Sequence, residues 1–257
     1  MVAIVVLLTT FAVLGGAILL IAHRERTIVV KPQSELMLTK SNAVLGHNMS
    51  WIAVKSNDPA QVAKFLRLNT LKISHWKHGL NALYDPRKSD CAIFVTPTFD
   101  GWVLIAGHAL PQPLGASFVE KCIPLIASLS KEFGEAQYFL SHPSLDFFGW
   151  AKAMNGNLRR AFATGDEGVL WNHGRLTVAE QTLGLKFYEL RGLYERNGDA
   201  GGPMILEPTE THVLSLAAQW SVNPAALGPR ITGKRQTGFL GQAPAIWRSK
   251  LTLRKAA

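Results

Sequence analysis

The chain opens with a long apolar stretch, and a mixed pattern of strand-like and helix-like segments follows it. Residues 2–22 read VAIVVLLTTFAVLGGAILLIA, with no charged side chain among them. A helix of this length would measure about 31 Å, which matches the hydrocarbon core of a bilayer, about 30 Å thick. The pattern therefore predicts one N-terminal transmembrane helix.

A cleaved signal peptide is the alternative for this stretch, because such peptides are also apolar and N-terminal. Signal peptides carry a basic segment before a shorter apolar run, however, and no Lys or Arg precedes this one. Positive residues favour the cytoplasmic side of a membrane. Arg24, Arg26 and Lys31 follow the apolar run, so we expect a single-pass membrane protein with its domain in the cytoplasm. A periplasmic domain is the alternative.

Seven segments behind this helix have the apolar pattern of strands, and turn residues separate them. They lie at residues 50–55, 91–96, 102–106, 136–140, 147–154, 158–164 and 169–171. Asn155-Gly156 between two such segments is typical of a tight hairpin, and Phe99-Asp100-Gly101 predicts a second turn. Consecutive strands joined in this way form an antiparallel sheet.

Helix starts are marked by capping residues. Asp58 followed by Pro59 predicts one helix, and capping-box patterns at Ser117–Glu120 and Thr177–Glu180 predict two more. The second of these would run to about Phe133 and stop at Gly134, although Pro124 should kink it or move its start. Thr209 predicts a fourth helix, which would end before Asn223-Pro224.

Together these patterns predict an α+β fold, a largely antiparallel sheet with packed helices, preceded by the transmembrane helix. The expected organisation is a transmembrane anchor (1–23), a juxtamembrane connector (24–49), a soluble α+β domain (50–228) and a basic C-terminal tail (229–257). Five tryptophans lie in or beside predicted elements, which favours core positions: Trp51, Trp102, Trp150, Trp171 and Trp220. Cys91 and Cys122 lie in apolar surroundings and are expected to be buried free thiols.

Charge changes the picture at the C-terminal end. The chain has 27 Lys and Arg against 18 Asp and Glu, a net charge of +9, and no acidic residue follows Glu210. A basic segment of this kind can contact anionic lipid or an acidic partner, and a solvated tail is the alternative. The candidate contact residues are Arg230, Lys234, Arg235, Arg248, Lys250, Arg254 and Lys255.

The search for catalytic chemistry finds no complete motif. GDAGGP at 198–203 resembles the nucleophile motif of trypsin-like serine proteases but has Ala200 where the serine stands, so we interpret it as a loop. His75 and His78 would share a helix face, without the further ligands that zinc requires. Phosphate-binding glycine motifs are absent from the sequence. No catalytic, cofactor-binding or metal-binding residue is predicted, no cofactor is expected, and nucleic acid is not an expected partner.

Three further histidines, His108, His142 and His173, fall at strand ends or turns. They would form a site only if their strands end at the same edge of the sheet. Hydrogen-bonded structural histidines are the alternative interpretation.

Several segments resemble an uncharacterised family of bacterial proteins. The resemblance is carried by residues 133–142 (FGEAQYFLSH) and 150–184, with 51–55 and 101–111 upstream. It implies a bacterial origin and suggests an immunity-protein role, and it carries no activity or site residue.

The function that we expect is therefore that of a non-enzymatic, membrane-anchored binding protein with a protein partner. Its specific form would be an immunity protein that neutralises a toxin. One alternative is a membrane-associated hydrolase that uses His108, His142 or His173, and another is an inner-membrane scaffold or regulator.

Overall fold

The computed structural model describes residues 44–113, 120–166, 168–185, 208–231 and 237–247. The predicted anchor (2–22) and the GDAGGP string (198–203) lie outside these ranges, as do six of the seven predicted basic contact residues. Within the described ranges, no helix combines the length and the apolar character needed to span a bilayer.

The described chain is a mixed helix and sheet fold around one large sheet. Nine strands pair in the order β2-β9-β3-β4-β1-β5-β6-β7-β8, and every pairing is antiparallel. The strands are β1 (Met49–Lys55), β2 (Asn69–His75), β3 (Ala92–Phe99), β4 (Trp102–Ala106), β5 (Glu135–His142), β6 (Phe147–Met154), β7 (Asn157–Gly165), β8 (Gly168–His173) and β9 (Thr237–Gln242). The predicted antiparallel sheet with packed helices is thus confirmed.

Helices pack on both faces of this sheet. They are α1 (Pro59–Phe65), α2 (Trp76–Tyr84), α3 (Cys122–Phe133), α4 (Val178–Thr182) and α5 (Glu210–Trp220). Buried residues of α2 and α5 belong to one apolar core, and buried residues of α1 and α3 belong to the other.

Strand β1 lies in the middle of the sheet and separates these two cores. Along it, Trp51 and Ala53 face the core of α2 and α5, whereas Ile52 and Val54 face the core of α1 and α3. All four side chains are fully buried. A strand covered on both faces favours apolar residues at successive positions, which explains why residues 51–54 do not alternate between apolar and polar.

The predicted caps are confirmed at three of the four helices. The Asp58 side chain accepts hydrogen bonds from two backbone amides of α1, and Pro59 occupies the first helical position. Capping boxes start α4 at Thr177 and α5 at Thr209.

The predicted start of α3 at Ser117 is wrong. The helix begins at Cys122, and the carboxylate of Glu120 accepts hydrogen bonds from the backbone amides of Cys122 and Ile123. Pro124 therefore lies in the first turn, where its missing N–H costs no helical hydrogen bond. Gly134 ends the helix with a φ of +86°, as predicted.

The Asn155-Gly156 hairpin between β6 and β7 is confirmed, with φ values of +50° and +82° at its two central residues. Strands β2 and β9 were not predicted, and β9 lies within the range predicted as a tail. Cys122 is buried as expected, but Cys91 is partly exposed, and its thiol donates to the carbonyl of Lys88.

A buried ion pair fixes α4 to the last strands of the sheet. Arg160 Nε lies 2.8 Å from Glu180 Oε1, and both side chains are buried. The same carboxylate oxygen accepts from Trp150 Nε1 at 2.7 Å, while the Arg160 guanidinium also donates to the carbonyls of Ala161 and His173. Each charged group is thus hydrogen-bonded on several sides, as burial of a charge requires.

We predict that Arg160→Met lowers the free energy of unfolding by about 3–5 kcal/mol, because it leaves the Glu180 carboxylate buried without its cation. Urea unfolding of the detergent-solubilised full chain measures this. Arg230→Met, which breaks the exposed Arg230–Asp100 pair, is the control and should change stability little. Equal effects of the two substitutions would contradict the prediction.

Candidate functional site

Three histidines from separate parts of the chain meet at one end of the sheet. His47 lies two residues before β1, His108 lies two residues after β4, and His142 is the last residue of β5. Because β1 is antiparallel to both neighbours, the start of β1 and the ends of β4 and β5 lie at the same end of the sheet. We call the group of His47, Tyr84, His108, His142 and Glu210 the histidine end.

Glu210, the first residue of α5, joins this group to the helix layer. Its Oε1 lies 2.9 Å from His47 Nδ1, and it accepts from Ser141 Oγ at 3.4 Å. The amide nitrogen of Asn48 lies 3.1 Å from His47 Nε2. An amide nitrogen can only donate, so His47 Nε2 accepts and His47 Nδ1 carries the proton that Glu210 binds.

Tyr84 fixes the loop that carries His47. Its hydroxyl donates toward the carbonyl of Val44 at 2.6 Å and that of His47 at 2.9 Å. Burial and the nearby charge of Glu210 raise the pKa of this hydroxyl, so it stays protonated and remains a donor. Tyr84 also stacks edge-on against His108, with 6.2 Å between the ring centroids.

His108 and His142 form the inner pair of the site, with ring centroids 6.0 Å apart. Burial, and then the neighbouring His108 and His47, lower the pKa of His142 to about 4. Burial also lowers the pKa of His108, against the opposing effect of Asp90. Nε2 of His142 is buried without a hydrogen-bond partner among the described residues. Both rings are therefore held neutral at pH 7.

Gly107 determines where His108 sits. Its φ is +154°, and a Cβ at this position would collide with the backbone carbonyl of Ala92 in β3. Only glycine lets the chain leave β4 this close to β3, so the backbone delivers the imidazole to the histidine end.

The structure brings together two of the three predicted strand-end histidines. His173 ends β8, and the register places it beside Ala161 of β7, level with Tyr138 in the middle of β5 and three strands away from it. His173 therefore does not join His108 and His142, and the three histidines do not form one site. His75 is the last residue of β2 and the N-cap of α2, so of the two histidines only His78 lies within the helix.

The histidine end lacks two arrangements that catalysis commonly uses. The neighbouring Ser141 hydroxyl bonds to Glu210 and the Tyr84 hydroxyl donates to backbone carbonyls, so neither hydroxyl bonds to a histidine nitrogen as an activated nucleophile would. Across the described ranges, no group of three or more His, Cys, Asp or Glu side chains is arranged to hold a metal ion. What the geometry offers is three imidazole rings and a phenol ring, with the imidazole of His47 bonded to the Glu210 carboxylate.

Of the predicted basic contact residues, the structure describes Arg230. Both guanidinium NH groups donate to the carboxylate of Asp100, at 2.9 and 2.7 Å, and both side chains are exposed. Lys234, Arg235, Arg248, Lys250, Arg254 and Lys255 lie outside the described residues.

Comparisons with protein-family models, with curated proteins and with solved structures give no match for this chain. The resemblance to a bacterial family thus stays a prediction, and the functional argument depends on the chain's own residues.

We predict that the fold loses stability as the pH falls from about 6.5 to about 4. The folded-state pKa of His142 lies below the ordinary value of 6.5, so the unfolded chain takes up this proton first. The stability that the neutral ring contributes is fully present above pH 6.5 and is lost as the pH falls toward 4. Melting temperatures of the full chain between pH 7.5 and 4.5 measure the effect. His142→Gln should flatten this dependence, and the exposed His173→Gln should not; equal slopes in all three proteins would refute the assignment.

Proposed function

We propose that this chain is a membrane-anchored binding protein whose histidine end contacts a protein partner. The single observation that carries the proposal is the convergence of five polar side chains from separate segments at one end of the sheet. His47 and Glu210 meet although 163 residues separate them. Such a preorganised group suits recognition, because little conformational entropy is lost on binding.

The surroundings of this group support a contact surface. Val44 and Leu145 are exposed apolar residues in the loops that carry His47 and His142. Exposed apolar residues, aromatic rings and hydrogen-bonding groups lie side by side here, and protein interfaces combine these same groups. The partner we propose is a protein, and the specific form is a toxin that the chain neutralises as an immunity protein.

The anchor in this proposal is the apolar stretch at residues 2–22, which is long enough to span a bilayer as a helix. The basic residues that follow it favour a cytoplasmic domain at the bacterial inner membrane. Extraction of membranes with alkaline carbonate tests this part separately: an anchored protein stays in the pellet.

We predict that affinity purification of the tagged full chain from detergent-solubilised membranes recovers a stoichiometric protein partner, identified by mass spectrometry. His108→Ala should reduce its recovery at least tenfold, the effect of about 1.4 kcal/mol lost at the interface. His173→Ala, which removes an exposed histidine on the edge strand β8, is the matched control and should leave recovery unchanged. A solitary chain, or equal losses in the two variants, would overturn the proposal.

The second candidate function is hydrolysis at the same site. The observation in its favour is that His47 and Ser141 share the carboxylate of Glu210, so a small rotation would bring a hydroxyl, an imidazole and a carboxylate together. For this candidate we predict that Ala substitution at His47, His108 or His142 abolishes the cellular phenotype of the chain without unfolding it, as circular dichroism would verify. If all three variants retain the phenotype, hydrolysis at this site is excluded.

A further inference from the structure

One edge of the sheet brings together two stretches of sequence that contain no acidic residue. Residues 59–84 hold Lys64, Arg67, Lys72 and Lys77 without a single Asp or Glu, and residues 211–257 likewise lack any acid. The first stretch contains β2 and the second contains β9, and these two strands pair at the end of the sheet order. Positive charge with no acidic residue near it in sequence therefore lies on β2 and on the residues before and after this strand.

The four basic side chains of the first stretch are exposed. None of the four belongs to an ion pair within the described part of the chain. Lys64 and Arg67 come from the C-terminal end of α1, on one face of the sheet, and Lys77 comes from the start of α2, on the other face. β2 is an edge strand of the sheet, and α1 and α2 pack on opposite faces, so basic side chains from both helices lie at this edge.

Large apolar side chains are exposed beside these charges. Ile73 of β2 is 72% exposed and Ile246, four residues after β9, is 76% exposed. Ile73 pairs with Phe239 of β9, and directly paired residues lie on the same face. Phe239 and Trp247 are partly buried against the core on that face, so Ile73 extends an apolar strip outward from it.

We infer that this edge, defined by Lys64, Arg67, Lys72, Ile73, Lys77 and Ile246 and here called the basic edge, rests on anionic phospholipid. Exposed aliphatic groups inserted between headgroups, with lysines and arginines around them, are the chemistry of interfacial membrane binding. The inference rests on the proposed anchor, which holds the domain beside a bilayer and so keeps the local concentration of lipid around this edge high. It adds residues of the folded domain to the basic tail residues expected from the sequence.

The backbone of β2 argues against pairing with a strand of another chain. Its register with β9 shifts between Asn69 and Lys72, and Thr70 has a φ of +50°. Such an irregularity and a lysine at an edge are devices that oppose strand addition. Lipid headgroups, in contrast, can bind unpaired backbone groups in any register.

The test uses the full chain reconstituted into nanodiscs of phosphatidylcholine with or without phosphatidylglycerol. An environment-sensitive fluorophore is attached at Ile73→Cys in a Cys91→Ser background, since Cys122 is buried. The matched control is Val178→Cys on α4, which is exposed to a similar extent, 78% against 72% for Ile73, and lies outside the basic edge.

We predict a blue shift of emission, and quenching by a lipid-borne quencher, at position 73 in anionic nanodiscs. Both signals should fall in neutral lipid and in high salt, which screens charges over about 10 Å at 0.1 M. Each of Lys64→Gln, Lys72→Gln and Lys77→Gln should lower the ratio of docked to undocked domain about fivefold. The label at position 178 should report water throughout.

The inference is overturned if position 73 responds equally to neutral and anionic lipid, or if position 178 responds as strongly. It is also overturned if the signal at position 73 requires a co-purified acidic protein instead of lipid. Carbonate extraction tests the anchor separately. If the chain proves not to be anchored, flotation of the full chain with vesicles containing phosphatidylglycerol still tests lipid binding by the basic edge.

Discussion

Burial of β1 on both faces is the constraint on which the rest of this structure depends. A central strand without an exposed face needs a helix layer on each side, and α2 with α5 and α1 with α3 provide these layers. The ends of β1 and its neighbours are then the places where polar side chains can gather, because the interior of the sheet admits few of them. The histidine end is a direct result: it lies just before the start of β1, beside the ends of β4 and β5.

Local signals predicted much of the architecture. The Asn155-Gly156 turn, the Asp58 cap and the Thr177 capping box each act within a few residues, so the sequence displays them directly. Strand β9 has no such signal, because it is short, contains two glycines and depends on its neighbours β2 and β3 for burial. The start of α3 was misplaced because the pattern suggested a capping box from Ser117, whereas the Glu120 carboxylate accepts from the backbone amides of Cys122 and Ile123, with which the helix begins.

The candidate site was predictable only in part, for a physical reason. His108 and His142 follow apolar strands, and a strand end is visible in sequence. His47, Tyr84 and Glu210 join them through contacts between segments that are distant in sequence, and no residue spacing predicts such contacts. Whether His173 joins the other two depends on the direction and register of β8, because the strands from β5 to β8 alternate in direction and β8 ends beside the middle of β7.

The position of β9 between β2 and β3 has a consequence for biogenesis. Its register joins Phe239 to Ile73 on one side and to Val95 on the other, so the last of the described strands to be synthesised closes a gap between two strands made much earlier. Until then β2 cannot join the sheet, and contacts this distant in sequence form slowly. The nascent domain therefore passes through a stage with unpaired strand edges, a stage at which chaperones bind and aggregation begins.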